Sequence, residues 1–371
     1  MPLDALTARP LDLPFREAFR HASAERSSMQ SLWVSACGGG FIGHGEGCPR
    51  EYVTGESLTG AQAFVAAHVD EWRSDIHDSG SLRDWVERKH ALIDRHPAAW
   101  AAVELALLDL FAQQQDCPVE RLLGLPPLSG RFEYSAVLGD AEPGRFAAQL
   151  ARYVQHGFRD FKIKLSGHAL RDRQKIEALT AAGIAPHRVR ADANNLWHDP
   201  GSAADFITAL GMRFGALEEP LAAGDIDALD LLAERLDTRI ILDESLLRID
   251  QLDRLADAPV RWIVNVRVSK MGGLIRSLAL VEAARSRGVS LIVGAHVGET
   301  SLLTRAALTV ADHARAHLLA QEGAVGTHLL ETDPVHPSLM FGAGGVLDME
   351  CLGIAARPGW GLTVVTPAPA S

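Results

Sequence analysis

Three acidic residues recur through the middle of the chain at nearly the pitch of one β/α unit. They are Asp192 in Arg190-Ala191-Asp192-Ala193-Asn194, Glu218 in Leu217-Glu218-Glu219-Pro220, and Asp243 in Leu242-Asp243-Glu244-Ser245. Positions 192 and 218 lie 26 residues apart, and 218 and 243 lie 25 apart. One strand, one helix and two loops take about that length, the repeat of a (β/α)8 barrel. Each acid closes a strand-like run, so each is offered at a strand's C-terminal end, the face where such barrels do chemistry. Lysines flank the series: Lys162 and Lys164 in Phe161-Lys162-Ile163-Lys164 before it, Lys270 after it. Hard carboxylate oxygens beside amines point to a Mg²⁺ site with bases next to it.

The rest of the pattern agrees with a barrel. Strands are expected near 132–137, 160–164, 188–192, 214–218, 239–243, 263–268, 290–295 and 317–321, with amphipathic helices such as 172–182 and 274–287 between them. Eight strands at an even pitch favour closure over a doubly wound sheet. The chain of 371 residues suits such a barrel plus a second unit. The expected fold class is therefore α/β: a (β/α)8-type, modified TIM barrel over 126–325, with an N-terminal α+β capping domain over 1–125. The turn-rich remainder, 326–371, is expected to pack back on the cap. Within the cap, 31–36 and 41–47 form a hairpin around the glycines at 38–40. The glycine run at 43–47 lacks the strand-then-helix setting of a phosphate loop and is read as hairpin glycine. The segment 99–111 is apolar nearly all round, which marks a buried helix.

Composition excludes several classes. A net charge of −11 argues against a nucleic-acid surface, which needs a basic face. Small anionic substrates remain compatible, because a bound divalent cation reverses the local field. The four cysteines, Cys37, Cys48, Cys117 and Cys351, show no CxxC spacing and are expected to be reduced thiols. No apolar run reaches the roughly 20 residues that span a bilayer. The N-terminus shows no basic region followed by an apolar one, so no leader is expected and the location is expected to be cytoplasmic.

For the site, Lys162 and Lys164 are i and i+2 and share one face of the second barrel strand. Adjacent positive charge lowers an ammonium pKa, which is what a general base needs. Lys270 ends the sixth strand, on the far side of the mouth. Bases on both faces of a carbon are what stereochemical inversion requires. Nothing offers the His/Cys set that zinc prefers.

As a set, Lys162-Ile163-Lys164, Asp192-Ala193-Asn194, Glu218-Glu219-Pro220, Asp243-Glu244-Ser245 and Lys270-Met271-Gly272-Gly273 resemble the enolase superfamily, in its muconate-lactonizing-enzyme subgroup. Ala106-Leu107-Leu108-Asp109-Leu110 and Leu122-Leu123-Gly124 resemble the segment leading into that family's barrel, so the likeness runs nearly end to end. The resemblance implies that Asp192, Glu218 and Asp243 hold Mg²⁺, that Lys164 and Lys270 are an opposed acid/base pair, and that Lys162 assists Lys164. It implies removal of the proton α to a substrate carboxylate through an enediolate, in a racemase, epimerase or cycloisomerase. It also implies a small carboxylate substrate and a homo-oligomer. The family's two cap loops fall near Phe19-Arg20-His21 and near Cys48-Pro49-Arg50-Glu51-Tyr52, which makes Phe19, Arg50 and Tyr52 candidate substrate contacts. Arg50 would meet a distal anionic or polar group.

The match is imperfect at the last two strands. Dipeptide epimerases of this kind carry Asp-x-Asp at the end of strand eight, where this chain has Ala320-Gln321-Glu322-Gly323-Ala324. Glu322 is then the candidate ligand for a cationic or hydroxyl group. His296 stands where the mandelate-racemase subgroup has a catalytic histidine, but the strand-six neighbourhood, Asn265-Val266-Arg267, offers no carboxylate to orient it. His296 is therefore expected to contact substrate rather than act as the base. Two alternatives stay open: dehydration of a hydroxy acid or acid sugar with His296 as the acid, and a catalytically silent barrel that only binds.

Overall fold

The computed structural model describes residues 3–21 and 24–365. The chain opens with a three-stranded antiparallel sheet, β1 (Ala5–His21), β2 (Ala24–Gly38) and β3 (Phe41–Gly47). Between β2 and β3, Gly39 and Gly40 take φ of 59° and 84°, which a side chain disfavours. Helices follow, chief among them Pro97–Gln114, buried at every position from Pro97 to Ala112.

The glycine run in β3 does more than turn the chain. Gly43, Gly45 and Gly47 fall on one face by the period of two. A Cβ on each would collide with the carbonyl oxygens of Ala106, Ala102 and Ala98 respectively. The helix backbone thus lies directly on the strand, with alanine facing glycine. Spacing alone hid this, because two-residue spacing says which face glycine occupies and not what presses on it.

The catalytic-type sheet is eight parallel strands: β5 (Ala136–Leu138), β6 (Phe161–Lys164), β7 (Val189–Asp192), β8 (Ala216–Glu218), β9 (Ile240–Leu242), β10 (Trp262–Val266), β11 (Ser290–Val293) and β12 (Leu318–Gln321). They lie side by side in chain order. Ser135 N–H donates to Gln321 O at 2.8 Å and draws the first edge to the last. Ala216, Ile241, Ile263 and Ile292 form a small apolar cluster of their own inside the sheet, apart from the main core that the outer helices cover. The architecture is a (β/α)8-type barrel under an N-terminal cap.

Two expected elements shift. The run at 132–137 is split: β4 (Arg131–Glu133) pairs antiparallel with β14 (Val346–Asp348) outside the barrel, and only β5 joins the parallel sheet. Lys270 does not end a strand. β10 stops at Val266, and Lys270 sits in the helical turn Val268–Met271 that follows. The chain's last stretch includes β13 (Val335–His336) paired with β15 (Thr363–Val364). There Trp360 N–H donates to Asp109 Oδ1 at 2.9 Å and Gly359 N–H to Cys117 O at 3.0 Å.

A buried acid ties the cap helix to the barrel. Glu104 Oε1 accepts the N–H of Ile275 at 2.9 Å, in the first turn of the helix Leu274–Ser286, and Oε2 accepts Trp100 Nε1 at 3.2 Å. A Cβ at Gly273, whose φ is 103°, would strike this carboxylate. The glycine pair after Lys270 therefore lets a cap carboxylate approach the helix end, where N–H groups favour negative charge. Burial nevertheless pushes Glu104 up to about 7.

Two outcomes follow from this packing. Gly45→Ala should destabilise the protein by roughly 1–3 kcal/mol or prevent cap folding, since the added carbon meets backbone. A thermal melt checks it, and an unchanged melt would refute the close approach. Glu104 binds a proton more tightly folded than unfolded. It therefore subtracts stability as pH rises from about 4.5 to about 7, by about 1.4 kcal/mol for each pH unit crossed. Glu104→Gln, which mimics the protonated acid, should melt with a shallower fall over that window than the wild type.

Candidate active site

The acid and lysine positions sit on, or just after, five neighbouring strands. Parallel pairing sets Lys164 level with Asp192, and Asp192 level with Glu218. Glu218 is paired with Ile241, two residues before Asp243. Lys270 returns from the turn after β10. Since β6 and β10 are four steps apart in an eight-stranded barrel, Lys164 and Lys270 stand across the mouth from one another, with the three acids between them.

The carboxylates are buried and are interleaved with cations. Lys164 Nζ donates to Asp192 Oδ2 at 2.5 Å and to Asn194 Oδ1 at 2.9 Å. Lys162 Nζ lies 2.6 Å from Glu218 Oε2, 3.3 Å from Asp192 Oδ2 and 2.8 Å from Glu322 Oε2. The Glu218 contact is an ion pair without hydrogen-bond alignment, and Oε2 has no hydrogen-bond partner. Lys270, fully buried, donates to Asp243 Oδ1 at 2.9 Å and to the carbonyls of Asp243 and Asn265, each at 2.7 Å. Arg267 Nη2 pairs with the other Asp243 oxygen, and Asn265 Nδ2 donates to Glu218 Oε1 at 3.3 Å.

These neighbours set the proton affinities. Burial raises Glu218 to about 8 against the pull of Lys162. Burial also pushes Asp192 and Asp243 up, but their cations outweigh it: Lys164 and Lys162 hold Asp192 low, and Arg267 and Lys270 hold Asp243 low. Lys270 is lowered by burial, with Arg267 adding and Asp243 opposing. Lys162 runs against the expectation of a lowered amine. Burial lowers it, yet Glu218, Glu322 and Asp192 together raise it above the ordinary lysine value. Its neighbours are carboxylates rather than the other lysine's charge, so it is a clamp between acids.

The site's supports are legible only in three dimensions. Glu219, next to Glu218 in sequence, points the other way and organises the next strand end. Its Oε1 accepts the N–H groups of Asp243 at 2.6 Å and Ser245 at 2.8 Å, and Oε2 accepts Ser245 Oγ at 2.7 Å. Its φ of 40° is unusual for a residue with a side chain and is held by these bonds. Sequence reasoning passes over Arg190, although it is i−2 from Asp192 and so shares its face. Its Nη2 donates to Ser135 Oγ at 2.8 Å and Glu322 Oε1 at 3.1 Å.

That last bond engages Glu322, the residue expected to meet a cationic or hydroxyl group of the substrate. Both of its oxygens are committed, one to Lys162 and one to Arg190. Arg50 and His296 are both 4% exposed at the seam between cap and barrel, and Tyr52 is 52% exposed on the short helix Glu51–Thr54. His296 Nδ1 faces Arg267 Nη1 at 3.3 Å, not a carboxylate. Burial, then Arg267 and Arg50, hold its pKa well below the ordinary histidine value. The side chain of Phe19 lies outside the described residues.

Mg²⁺ fits this site by donor chemistry: carboxylate oxygens alone, including the buried Oε2 of Glu218 and Oε2 of Glu244, which lack hydrogen-bond partners. Among the described residues, no three His, Cys, Asp or Glu side chains stand together as a ready ion cradle, because lysine and arginine groups separate the acids.

A barrel mouth with a lysine on each side of an acidic row, under an α+β lid, defines the class of enzyme. The family model described as enolase C-terminal domain-like matches residues 145–368, and the chain belongs to that family, within the enolase superfamily. Among relatives, the N-succinyl-L-Arg/Lys racemase of Bacillus cereus is 27% identical over 330 residues, covering 84% of each chain. The L-Lys-D/L-Arg epimerase of Methylococcus capsulatus is 31% identical over 310 residues, covering 81% of this chain and 83% of that one. The dipeptide epimerase of Enterococcus faecalis, whose structure holds Mg and the dipeptide L-Leu-L-Tyr, superposes with a TM-score of 0.82. It is 25% identical and is covered in full by 98% of this chain. Among the described residues no helix is long and apolar enough to cross a membrane.

Proposed function

We propose that this isomerase carries out 1,1-proton transfer, racemisation or epimerisation, at the carbon α to a substrate carboxylate. The observation that carries the reading is the placement of Lys164 and Lys270 on opposite sides of one mouth, four strands apart. Relatives named as racemases and epimerases favour this outcome over cycloisomerisation, which needs only one base.

Asp192, Glu218 and Asp243 would hold Mg²⁺, which supplies positive charge beside the substrate carboxylate and lowers the cost of the negative charge left as the α-proton departs. Lys164 or Lys270, as a neutral amine, takes that proton. The ammonium opposite returns one to the other face, which inverts the centre. Lys162 keeps Asp192 and Glu218 close together against their mutual repulsion. Glu219 fixes the Asp243 peptide. His296, with Arg267 rather than a carboxylate at its ring, is a wall of the site, and this disfavours the dehydratase alternative.

Lys164→Ala and Lys270→Ala should each cut turnover of an α-chiral carboxylate by about 10²- to 10⁴-fold or more. In D₂O, each variant should retain α-proton exchange with one enantiomer only, which assigns the face each lysine serves. Full turnover in both variants would refute the assignment. Addition of EDTA should abolish activity and lower the melting temperature, and excess Mg²⁺ should restore both. An ion at about 100 times its Kd contributes about 2.7 kcal/mol. A melt indifferent to both additions would sink the metal reading.

A further inference from the structure

The helix after β6, Ala169–Ala181, turns Asp172, Lys175, Ile176 and Leu179 inward, one stripe at the spacing of a buried face. Two of the four are charged. Asp172 is 0% exposed and Lys175 is 1% exposed. Lysine and aspartate are seldom buried so completely, and a buried pair adds little stability that apolar residues of similar volume would not. Stability alone does not account for two charges in a core stripe, and the proton-transfer scheme gives them no part.

An ammonium has three donors, and Lys175 places all three. Its Nζ donates to the carbonyl of Lys164 at 2.7 Å, to Asp140 Oδ1 at 2.8 Å and to Asp172 Oδ1 at 2.9 Å. Asp172 in turn holds the turn that leaves β6. It accepts the N–H groups of Ser166 and Gly167, each at 3.0 Å, and Ser166 Oγ at 2.8 Å. Asp140, on the segment after β5, is also paired with Arg171 at 3.2 Å. Lys175 is thus pinned between two acids, with its third donor on the backbone of Lys164.

That carbonyl lies where the strand ladder gives out. The N–H of Leu165 goes to Asp192 O of β7 at 2.8 Å, so the polar backbone groups of residue 164, one position earlier, face β5. β5 ends at Leu138, opposite Ile163. Continuing the ladder would take the N–H of Asp140. That residue lies past the strand's end and offers its carboxylate to Lys175 instead, and Lys175 supplies the donor. A carbonyl held in direction fixes ψ of its residue. With the register, this fixes the line along which the Lys164 side chain leaves for the mouth. At its far end the amine meets Asp192 and Asn194. Lys270 is held differently, by its own Nζ on the carbonyls of Asp243 and Asn265.

We infer that Lys175 is a positioning residue for Lys164: anchored by Asp172 and Asp140 on the outside of the sheet, it holds the carbonyl of Lys164 and so aims the amine. The brace itself follows from these bonds. Its consequence rests on the proposed function, in which Lys164 serves one face of the substrate carbon and Lys270 the other. Loss of Lys175 then disturbs one of the two proton transfers, although its three bonds go to none of the acids in the row between the lysines.

Competitive acetylation tests it. The full chain with Mg²⁺ is treated with trace acetic anhydride across about pH 7 to 10, where amines begin to lose their protons, and each lysine is read by mass spectrometry. Lys164, whose side chain is 14% exposed, is within the reagent's reach. An amine held as a hydrogen-bonded ammonium reacts slowly. Lys175→Met should raise labelling of Lys164 about ten-fold, the loss of one bond to a charged group, and leave Lys162 and Lys270 within about two-fold. Lys175→Arg, which keeps a charged donor, should bring Lys164 back to within about three-fold of the wild type. A variant that is merely less stable opens the whole mouth and raises all three lysines together. If Lys175→Met does not fold, Lys175→Met with Asp172→Asn takes its place. It removes the acid left without its cation, while Asp140 keeps Arg171. Lys164 labelling that stays within about three-fold of the wild type, a rise shared by Lys162 and Lys270, or no restoration by arginine overturns the brace. Exchange in D₂O by Lys164→Ala and Lys270→Ala judges proton transfer separately. Its failure leaves the brace standing, and uniform labelling leaves the proton-transfer reading standing.

Discussion

The level register of β6, β7 and β8 is the constraint on which the site depends. Lys164, Asp192 and Glu218 are neighbours because three parallel strands stop at the same height. A slip of one residue in any of them would turn its functional side chain out of the mouth. From β8 onward apolar side chains fill the inside of the sheet: Ala216, Ile241, Ile263 and Ile292 pack together and leave the strand ends free to carry charge.

With that register set, like charges must share a small, dry volume, and the chain solves this by alternation. Lys162 stands between Asp192 and Glu218, Arg267 and Lys270 flank Asp243, and Arg190 and Lys162 flank Glu322. A buried ion pair contributes little net stability, because desolvation offsets attraction. Its worth here is positional. Asp192 and Asp243 are met by cations from the adjoining strand or the turn after it. Glu218 and Glu322 are met by cations reaching from farther round the barrel, so the acids are presented together at little repulsive cost. Lys162 cannot be both the centre of such a clamp and a free base, and Lys164, the less buried lysine of the pair, is the one to which the proposed function gives the proton.

The barrel and its acids could be read from the sequence because both are periodic. A strand that ends in a carboxylate every 25 or 26 residues is a one-dimensional trace of a three-dimensional ring. Pairing across strands leaves no such trace. Glu322 looks free in the sequence because its partners, Lys162 and Arg190, come from β6 and β7, far back in the chain. Arg267 registers there only as the absence of a carboxylate beside His296, although it proves to be that histidine's neighbour. The split of the first strand is hidden for the same reason, since β4 is drawn out of the barrel by β14, some 210 residues later.

The cap is bound to the barrel by chemistry as well as by packing. Glu104 reaches from the buried cap helix to the helix that begins just after Lys270, and Glu46 reaches from β3 to Thr300, just after His296. Each bond fixes one element that carries a site residue, and both bonds originate in cap segments that carry none. Burial raises each of these acids to about 7, so near neutrality each stands close to the point of losing its proton. The glycine face of β3 holds the sheet against the helix that carries Glu104. The lid's two carboxylates thus anchor the segments that follow two neighbouring strands, β10 and β11. On the proposed function, these bonds hold the cap against the side of the barrel that carries Lys270 and His296.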